Sequence, residues 1–181
     1  MIISYIVLII CLLVLALLCY YFFTGLVTMF RTKWVPYVPT YNSDLKYFKN
    51  LPIEEWKTMV DLGCWDGKML RFFVKNYKIS QAEWFELNWF AVNYWKILNK
   101  IQKFDNINLF SKNFKEADLS KYDYVFLYLL PDTMKEFESR IFDTIWQNTI
   151  IISNTFSFAE HQPYFSIQNK RWNNRVLFYK K

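Results

Sequence analysis

The first 30 residues of this 181-residue chain carry no charge, and all 22 Lys and Arg and all 16 Asp and Glu lie at or beyond Arg31. Residues 2–23 form an uncharged run of 22 residues rich in Ile, Leu and Val. About 20 helical residues cross the hydrocarbon core of a bilayer. The run therefore predicts one transmembrane helix, and the remaining residues are enough for one domain.

The N-terminal run favours a membrane anchor over a cleaved signal peptide. A signal peptide needs a basic start, a shorter apolar core and a small-residue cleavage site, and nothing basic precedes this run. The first basic side chains, Arg31 and Lys33, follow it, so the positive-inside rule places the C-terminal domain in the cytoplasm. We expect a single-pass anchor over residues 1–24, a linker over 25–42 and one folded domain over 43–181.

Composition excludes several classes of site. Three cysteines cannot build a disulfide framework, and a single histidine, His161, without a Cys/His cluster predicts no metal site. The net charge of +6 would suit nucleic acid. Beside a membrane anchor it is better explained by attraction to anionic lipid headgroups, so the expected partner is the bilayer rather than nucleic acid.

Segments typical of strands and helices alternate along the rest of the chain. We predict strands over 57–61, 82–86, 106–110, 124–130 and 149–153, helices over 68–77, 89–103 and 133–144, and a closing antiparallel hairpin over 164–168 and 176–180. This alternation is typical of a parallel, Rossmann-like α/β sheet. Ligands of such sheets bind beyond the carboxyl ends of the strands.

The turn after the first strand reads VDLGCWDGK over residues 60–68. A dinucleotide fingerprint would also need glycine at position 68, where the chain has Lys68. An arbitrary glycine turn is the alternative. The frame of Asp61, Gly63 and Gly67 instead resembles motif I of class I S-adenosylmethionine-dependent methyltransferases. Glu86 ends the second strand 23 residues after Gly63, where a carboxylate can hold ribose hydroxyls.

A narrower resemblance includes the linker. The anchor, the VPYVPT segment over 35–40, the motif I turn and FELN over 85–88 resemble the membrane-anchored protein-lysine methyltransferases, whose best-known members modify the adenine nucleotide translocase and the ATP synthase c subunit. This resemblance implies a seven-stranded methyltransferase sheet. It also implies S-adenosylmethionine as cofactor, contacted by Asp61, Gly63, Cys64, Trp65, Gly67, Glu86 and Asn113.

Asn113 departs from the family, which has an adenine-binding Asp there, and Glu116 or Asp118 could substitute for it. We expect the acceptor pocket over residues 128–132, with 37–40 as a lid. Asp132 and Tyr37 are the candidate catalytic residues. The expected reaction is methyl transfer to a lysine of a membrane or membrane-proximal protein. The alternatives are a lipid or small-molecule acceptor and, if Trp65 is genuine, a non-catalytic module.

The counts of glycine and tryptophan are unusual. The chain has 3 Gly and 8 Trp, whereas glycine averages about 7% of residues. Trp65 occupies the central glycine position of motif I, and Trp56, Trp84, Trp146 and Trp172 also stand where glycine is natural. UGA is read as glycine in a few bacterial lineages. Translating such codons as Trp would give this pattern, and the alternative is a Trp-rich membrane-associated protein.

Overall fold

A computed structural model describes residues 2–31, 40–63, 66–168 and 175–181. Five residues that the sequence analysis named lie outside these ranges: Lys33, Tyr37, Cys64, Trp65 and Trp172. Within the described ranges the chain forms a long N-terminal helix followed by an α/β domain.

The N-terminal helix, α1 (Ile2–Arg31), continues beyond the predicted anchor into the first residues of the predicted linker. Its segment Ile2–Val27 is long and apolar enough to cross a membrane, and its most apolar window is not buried against the described domain. The helix contacts the domain through Tyr20 and Tyr21, whose rings pack edge-on against Phe90 with centroids 5.8 and 5.5 Å away.

The domain follows the predicted alternation. Its elements are β1 (Thr58–Leu62), α2 (Lys68–Tyr77), β2 (Gln81–Phe85), α3 (Trp89–Ile101), β3 (Ile107–Phe110), β4 (Tyr124–Leu127), α4 (Pro131–Thr144), β5 (Ile150–Asn154), β6 (Phe165–Gln168) and β7 (Arg175–Tyr179). Short 3-10 turns also occur at Leu45–Phe48, Phe114–Glu116 and Leu119–Lys121.

The strands form one seven-stranded sheet in the order β3-β2-β1-β4-β5-β7-β6. β1 to β5 are parallel, and β7 pairs antiparallel with both β5 and β6. This confirms the predicted Rossmann-like sheet with a terminal antiparallel hairpin.

Both faces of the sheet are covered because alternate strand residues point to opposite sides. On one side Met59, Trp84 and Phe126 pack with residues of α2 and α3. On the other side Val60 and Leu127 pack with residues of α4. The two cores explain why the strands read as nearly continuous apolar runs.

The helices begin where the sequence supplies a start signal. Asn88 caps α3 by accepting a hydrogen bond from the Ala91 amide at 3.1 Å, and Pro131 occupies the first turn of α4, where its missing N–H costs nothing. Ile101, the last residue of α3, is 69% exposed.

Candidate functional site

The strand register aligns the predicted site residues at one edge of the sheet. Leu62 pairs with both Phe85 and Leu127, and Phe85 pairs with Phe110. The residues that follow these strands therefore emerge side by side at the carboxyl edge. Leu127 also pairs with Ser153, which extends the edge to the end of β5. This is the edge at which doubly wound sheets bind ligands.

The turn after β1 depends on its two glycines. Gly63 has φ +86° and Gly67 has φ +66°, a left-handed conformation that glycine adopts at no steric cost. A β-carbon on Gly63 would lie 2.6 Å from Leu129 Cδ2, so the chain after β4 packs closely on this turn. Asp61, at 2% exposure, is buried in β1 just before it.

Gly67 lies against a tryptophan of the neighbouring strand. A β-carbon at position 67 would come within 2.1 Å of Trp84 Cζ3. Trp84 is 1% exposed, and its indole N–H has no hydrogen-bond partner among the described residues. A buried donor without a partner costs about 1–3 kcal/mol, so the indole fits this position imperfectly.

The start of α2 connects the turn to the linker. The Lys68 ammonium donates to the Thr40 carbonyl at 2.5 Å, and Thr40 ends the VPYVPT segment. The Asp66 carboxylate accepts a hydrogen bond from the Lys68 amide at 3.0 Å. The end of the predicted lid is therefore held beside motif I.

Glu86 is a buried carboxylate immediately after β2. It is 8% exposed, and its Oε1 accepts a hydrogen bond from the Asn88 amide at 2.8 Å. Burial raises the pKa of Glu86, and hydrogen bonds from the Asn88 and Leu87 amides oppose that rise. A carboxylate held in this way can accept hydrogen bonds from a diol.

A pocket of about 240 Å³ lies beside Glu86, between the ends of β2 and β3. It is lined by Leu87, Ser111, Lys112, Asn113 and Glu116. Asn113 and Glu116, both singled out in the sequence, are thus brought together. The Asn113 side chain already accepts a hydrogen bond from the Lys115 amide at 3.0 Å.

The Asp118 carboxylate is hydrogen-bonded within its own turn. Its carboxylate accepts hydrogen bonds from the Ser120 hydroxyl at 2.6 Å and the Ser120 amide at 3.2 Å. These bonds cap the turn at Leu119–Lys121, and Asp118 does not line the pocket. Of the two acidic neighbours of Asn113, only Glu116 faces the pocket.

The ends of β4 and β5 bring Tyr128, part of the predicted acceptor pocket, together with Thr155 and Phe156, which sequence reasoning missed. The half-buried Tyr128 stacks on Phe156 with ring centroids 6.3 Å apart. Burial raises the pKa of Tyr128, and a hydrogen bond with Thr155 offsets part of that rise. Thr155 has φ +76°, a strained conformation for a β-branched residue that is typical of functional sites.

Asp132 is exposed in the first turn of α4, a few residues beyond Tyr128. Tyr37, Cys64 and Trp65 lie outside the described residues, so their predicted roles stay predictions. The described part of the chain contains no cluster of His, Cys, Asp and Glu that could hold a metal ion.

Known proteins match this arrangement. The family model for the ANTKMT methyltransferase domain matches residues 61–165. A protein-lysine N-methyltransferase of Saccharolobus islandicus is 22% identical over 151 residues, which cover 80% of this chain and 92% of that protein.

Solved structures share the fold at low identity. An RNA methyltransferase from Salinibacter ruber in complex with S-adenosylhomocysteine has a TM-score of 0.71 and 20% identity, over 79% of this chain and 93% of that one. A precorrin-6y methyltransferase from Geobacter metallireducens has a TM-score of 0.58 and 13% identity, over 81% and 92%. Because the two are named for different acceptors, the fold does not identify the acceptor.

Proposed function

As a member of the ANTKMT methyltransferase family, this chain is a class I S-adenosylmethionine-dependent methyltransferase, and we propose that its acceptor is a lysine side chain of a membrane or membrane-proximal protein. The observation that carries the proposal is an apolar helix long enough to span a bilayer, packed against the domain next to the cofactor edge. The similarity to a protein-lysine N-methyltransferase supports a protein acceptor.

The residues present fit the cofactor. We assign the ribose hydroxyls to Glu86, whose buried carboxylate is held by the Asn88 amide. The adjacent pocket, with Asn113 and Glu116 in its lining, suits the adenine, because its amine can donate to their side-chain oxygens. The turn from Asp61 to Gly67 is assigned to the methionine end, with Cys64 and Trp65 within it. Bound S-adenosylmethionine supplies a methyl group activated on a sulfonium.

The acceptor is assigned to the ends of β4 and β5. The stacked rings of Tyr128 and Phe156 offer apolar faces for the methylene stem of a lysine. The lysine must lose a proton before it can attack, because its ordinary pKa is about 10.4. A partly buried aromatic site disfavours the charged form. Asp132 and Tyr37 remain the candidate residues for receiving the proton.

The proposed anchor is α1. Arg31 and Lys33 follow its apolar segment, so we propose that the domain over 43–181 faces the cytoplasm, joined through the linker over 25–42. A reporter fused after Lys181 should be active on the cytoplasmic side. Activity confined to the outer side would contradict this orientation.

The acceptor can be identified by labelling native membranes. The full chain as written and its Trp65→Gly variant are each incubated with methyl-labelled S-adenosylmethionine and membranes of the source cell. We expect label in protein, located by mass spectrometry on a lysine Nε. Glu86→Ala is the matched control with weakened cofactor binding and less label, because it removes a carboxylate assigned to the cofactor and leaves the acceptor pocket unchanged.

The outcomes separate the alternatives. Label recovered in the lipid extract and absent from protein would replace the lysine proposal with a lipid acceptor. A chain that binds S-adenosylhomocysteine but transfers no label to either fraction would contradict a membrane acceptor of any kind.

A further inference from the structure

Helix α3 carries two apolar faces, and the described residues of the domain cover one of them. Val92 is buried and Trp95 is half-buried against the sheet. Tyr94, Ile97 and Ile101 are instead 50%, 62% and 69% exposed. At about 100° per residue, these three side chains lie opposite Val92 on the helix. The outward face of α3 is therefore apolar as well.

This outward stripe is continuous with the proposed anchor. Phe90, Tyr94, Ile97 and Ile101 follow one another at spacings of four, three and four residues, which places them in one row along the helix. Phe90, at the head of the row, contacts Tyr20 and Tyr21 of α1. The exposed row thus begins where the transmembrane segment meets the domain.

The charged residues of α3 have one sign. α3 contains Lys96 and Lys100 and no acidic residue, and Lys103 follows it; all three lysines are exposed. Exposed Trp89 lies at the start of the helix. Lysines beside an apolar row with Trp and Tyr are typical of a helix lying in a membrane interface. A second copy of the chain would bring the lysines against each other, so charge favours the bilayer over self-association.

We infer that the outward face of α3 lies on the bilayer surface, with the apolar row in the boundary between headgroups and acyl chains and the lysines on anionic headgroups. This inference rests on the proposed insertion of α1. It specifies how the domain is oriented on the membrane, in addition to its attachment through α1. Because α3 begins directly after the Glu86–Asn88 bend and runs back along the parallel strands, the proposed cofactor edge lies at the membrane surface beside α1 and points along that surface.

The depth of a spin label tests this orientation in the full chain. Cys11, Cys19 and Cys64 are replaced by Ala, the protein is placed in nanodiscs of phosphatidylcholine with phosphatidylglycerol, and a nitroxide is attached to Ile97→Cys. Its accessibility to oxygen and to a water-soluble nickel complex reports depth. We expect a position about 5–10 Å into the interface. Ser139→Cys, exposed on α4 at the other face of the sheet, should stay aqueous.

A label at Leu13→Cys reports independently on the anchor. The label at position 13 could be deep in the bilayer while the label at position 97 is as accessible to water as the label at 139. That result would overturn this inference and leave the proposed anchor in place. A shallow label at position 13 would overturn both the anchor and the inference, while leaving methyl transfer to soluble acceptors untouched. Lys96→Glu and Lys100→Glu should each lower the ratio of membrane-bound to aqueous label at position 97 by about fivefold. An unchanged depth would remove the proposed role of the lysines.

Discussion

The imidazole Nδ1 of His161 lies 2.8 Å from the Glu138 carboxylate, and the imidazole ring stacks on Phe142 at a centroid distance of 3.5 Å. The same carboxylate accepts hydrogen bonds from the amides of Ala159, Glu160 and His161 at 2.8–2.9 Å. One carboxyl group on α4 thereby organises the loop between β5 and β6.

Glu138→Gln should lower the free energy of unfolding by about 1.5–3 kcal/mol, because hydrogen bonds to a charged group are replaced by weaker ones. Burial raises the pKa of Glu138, but the His161 side chain and three amides outweigh it and hold that pKa below its ordinary value. The stabilisation is thus complete above the ordinary pKa of about 4.3 and is lost as pH falls through the folded value.

Chemical unfolding at several pH values measures this difference. The difference in free energy of unfolding between wild type and Glu138→Gln should be constant above the ordinary carboxyl pKa. It should become smaller in acid. Glu136→Gln, on the same helix, removes an exposed pair with Lys115 and should change stability by less than about 1 kcal/mol. Equal effects of the two substitutions would contradict the role assigned to Glu138.

Trp65→Gly should increase affinity for S-adenosylhomocysteine. The glycine turn brings backbone close to the cofactor, whereas an indole buries about 150–250 Å² wherever it packs. Calorimetric titration of both proteins compares them, and equal affinity would show that the turn tolerates the indole. The gene supplies an independent test, because UGG codons at 65, 84 and 172 would end the recoding hypothesis.

Glu86→Gln, made in the Trp65→Gly protein, should weaken S-adenosylhomocysteine binding by about 10- to 150-fold through loss of charge-assisted hydrogen bonds. Burial raises the pKa of Glu86, and ribose hydroxyls favour its ionised form. Affinity of the Glu86 protein should therefore rise as pH increases through the raised pKa and then level off, while the Gln variant shows no such rise. Glu83→Gln, on β2, should leave affinity unchanged.

Glu116 and Asp118 form a matched pair of acidic residues. Glu116→Ala should weaken S-adenosylhomocysteine binding about threefold to tenfold, the effect of about one hydrogen bond, because Glu116 lines the pocket. Asp118→Ala should leave the affinity unchanged, since its carboxylate is bonded to Ser120. The reverse ranking in the same titration would contradict the assignment of the adenine to the pocket lined by Glu116.

Trp56→Gly should stabilise the protein by about 1–2 kcal/mol, the cost of a left-handed conformation in a residue with a side chain. Trp56 has φ +64° and is 70% exposed, so little packing is lost. Trp146 is comparably exposed, at 66%, but is not among the described positive-φ residues. Trp146→Gly should therefore destabilise the protein. Thermal unfolding measures the stability of both variants against wild type. A loss of stability in Trp56→Gly would contradict the proposed backbone strain at Trp56.

Local signals in the sequence were enough to predict the parallel strands and the carboxylates Asp61 and Glu86 at their ends. Spacing could not reveal that Tyr128 stacks on Phe156, because that contact depends on the pairing of β4 with β5. The outward row of α3 was also missed, since an apolar helix in an α/β protein is ordinarily interpreted as core. Only the positions of Tyr94 and Ile97 relative to the sheet separate the two faces.

Positions 67 and 84 are coupled by direct steric contact. While an indole occupies position 84, its six-membered ring fills the space that any side chain at 67 would need. A small residue at 84 removes that clash and leaves only the backbone conformation of Gly67 as a restriction, which Asn and Asp tolerate better than other residues. Homologues with a small residue at 84 should therefore be the ones in which position 67 departs from glycine.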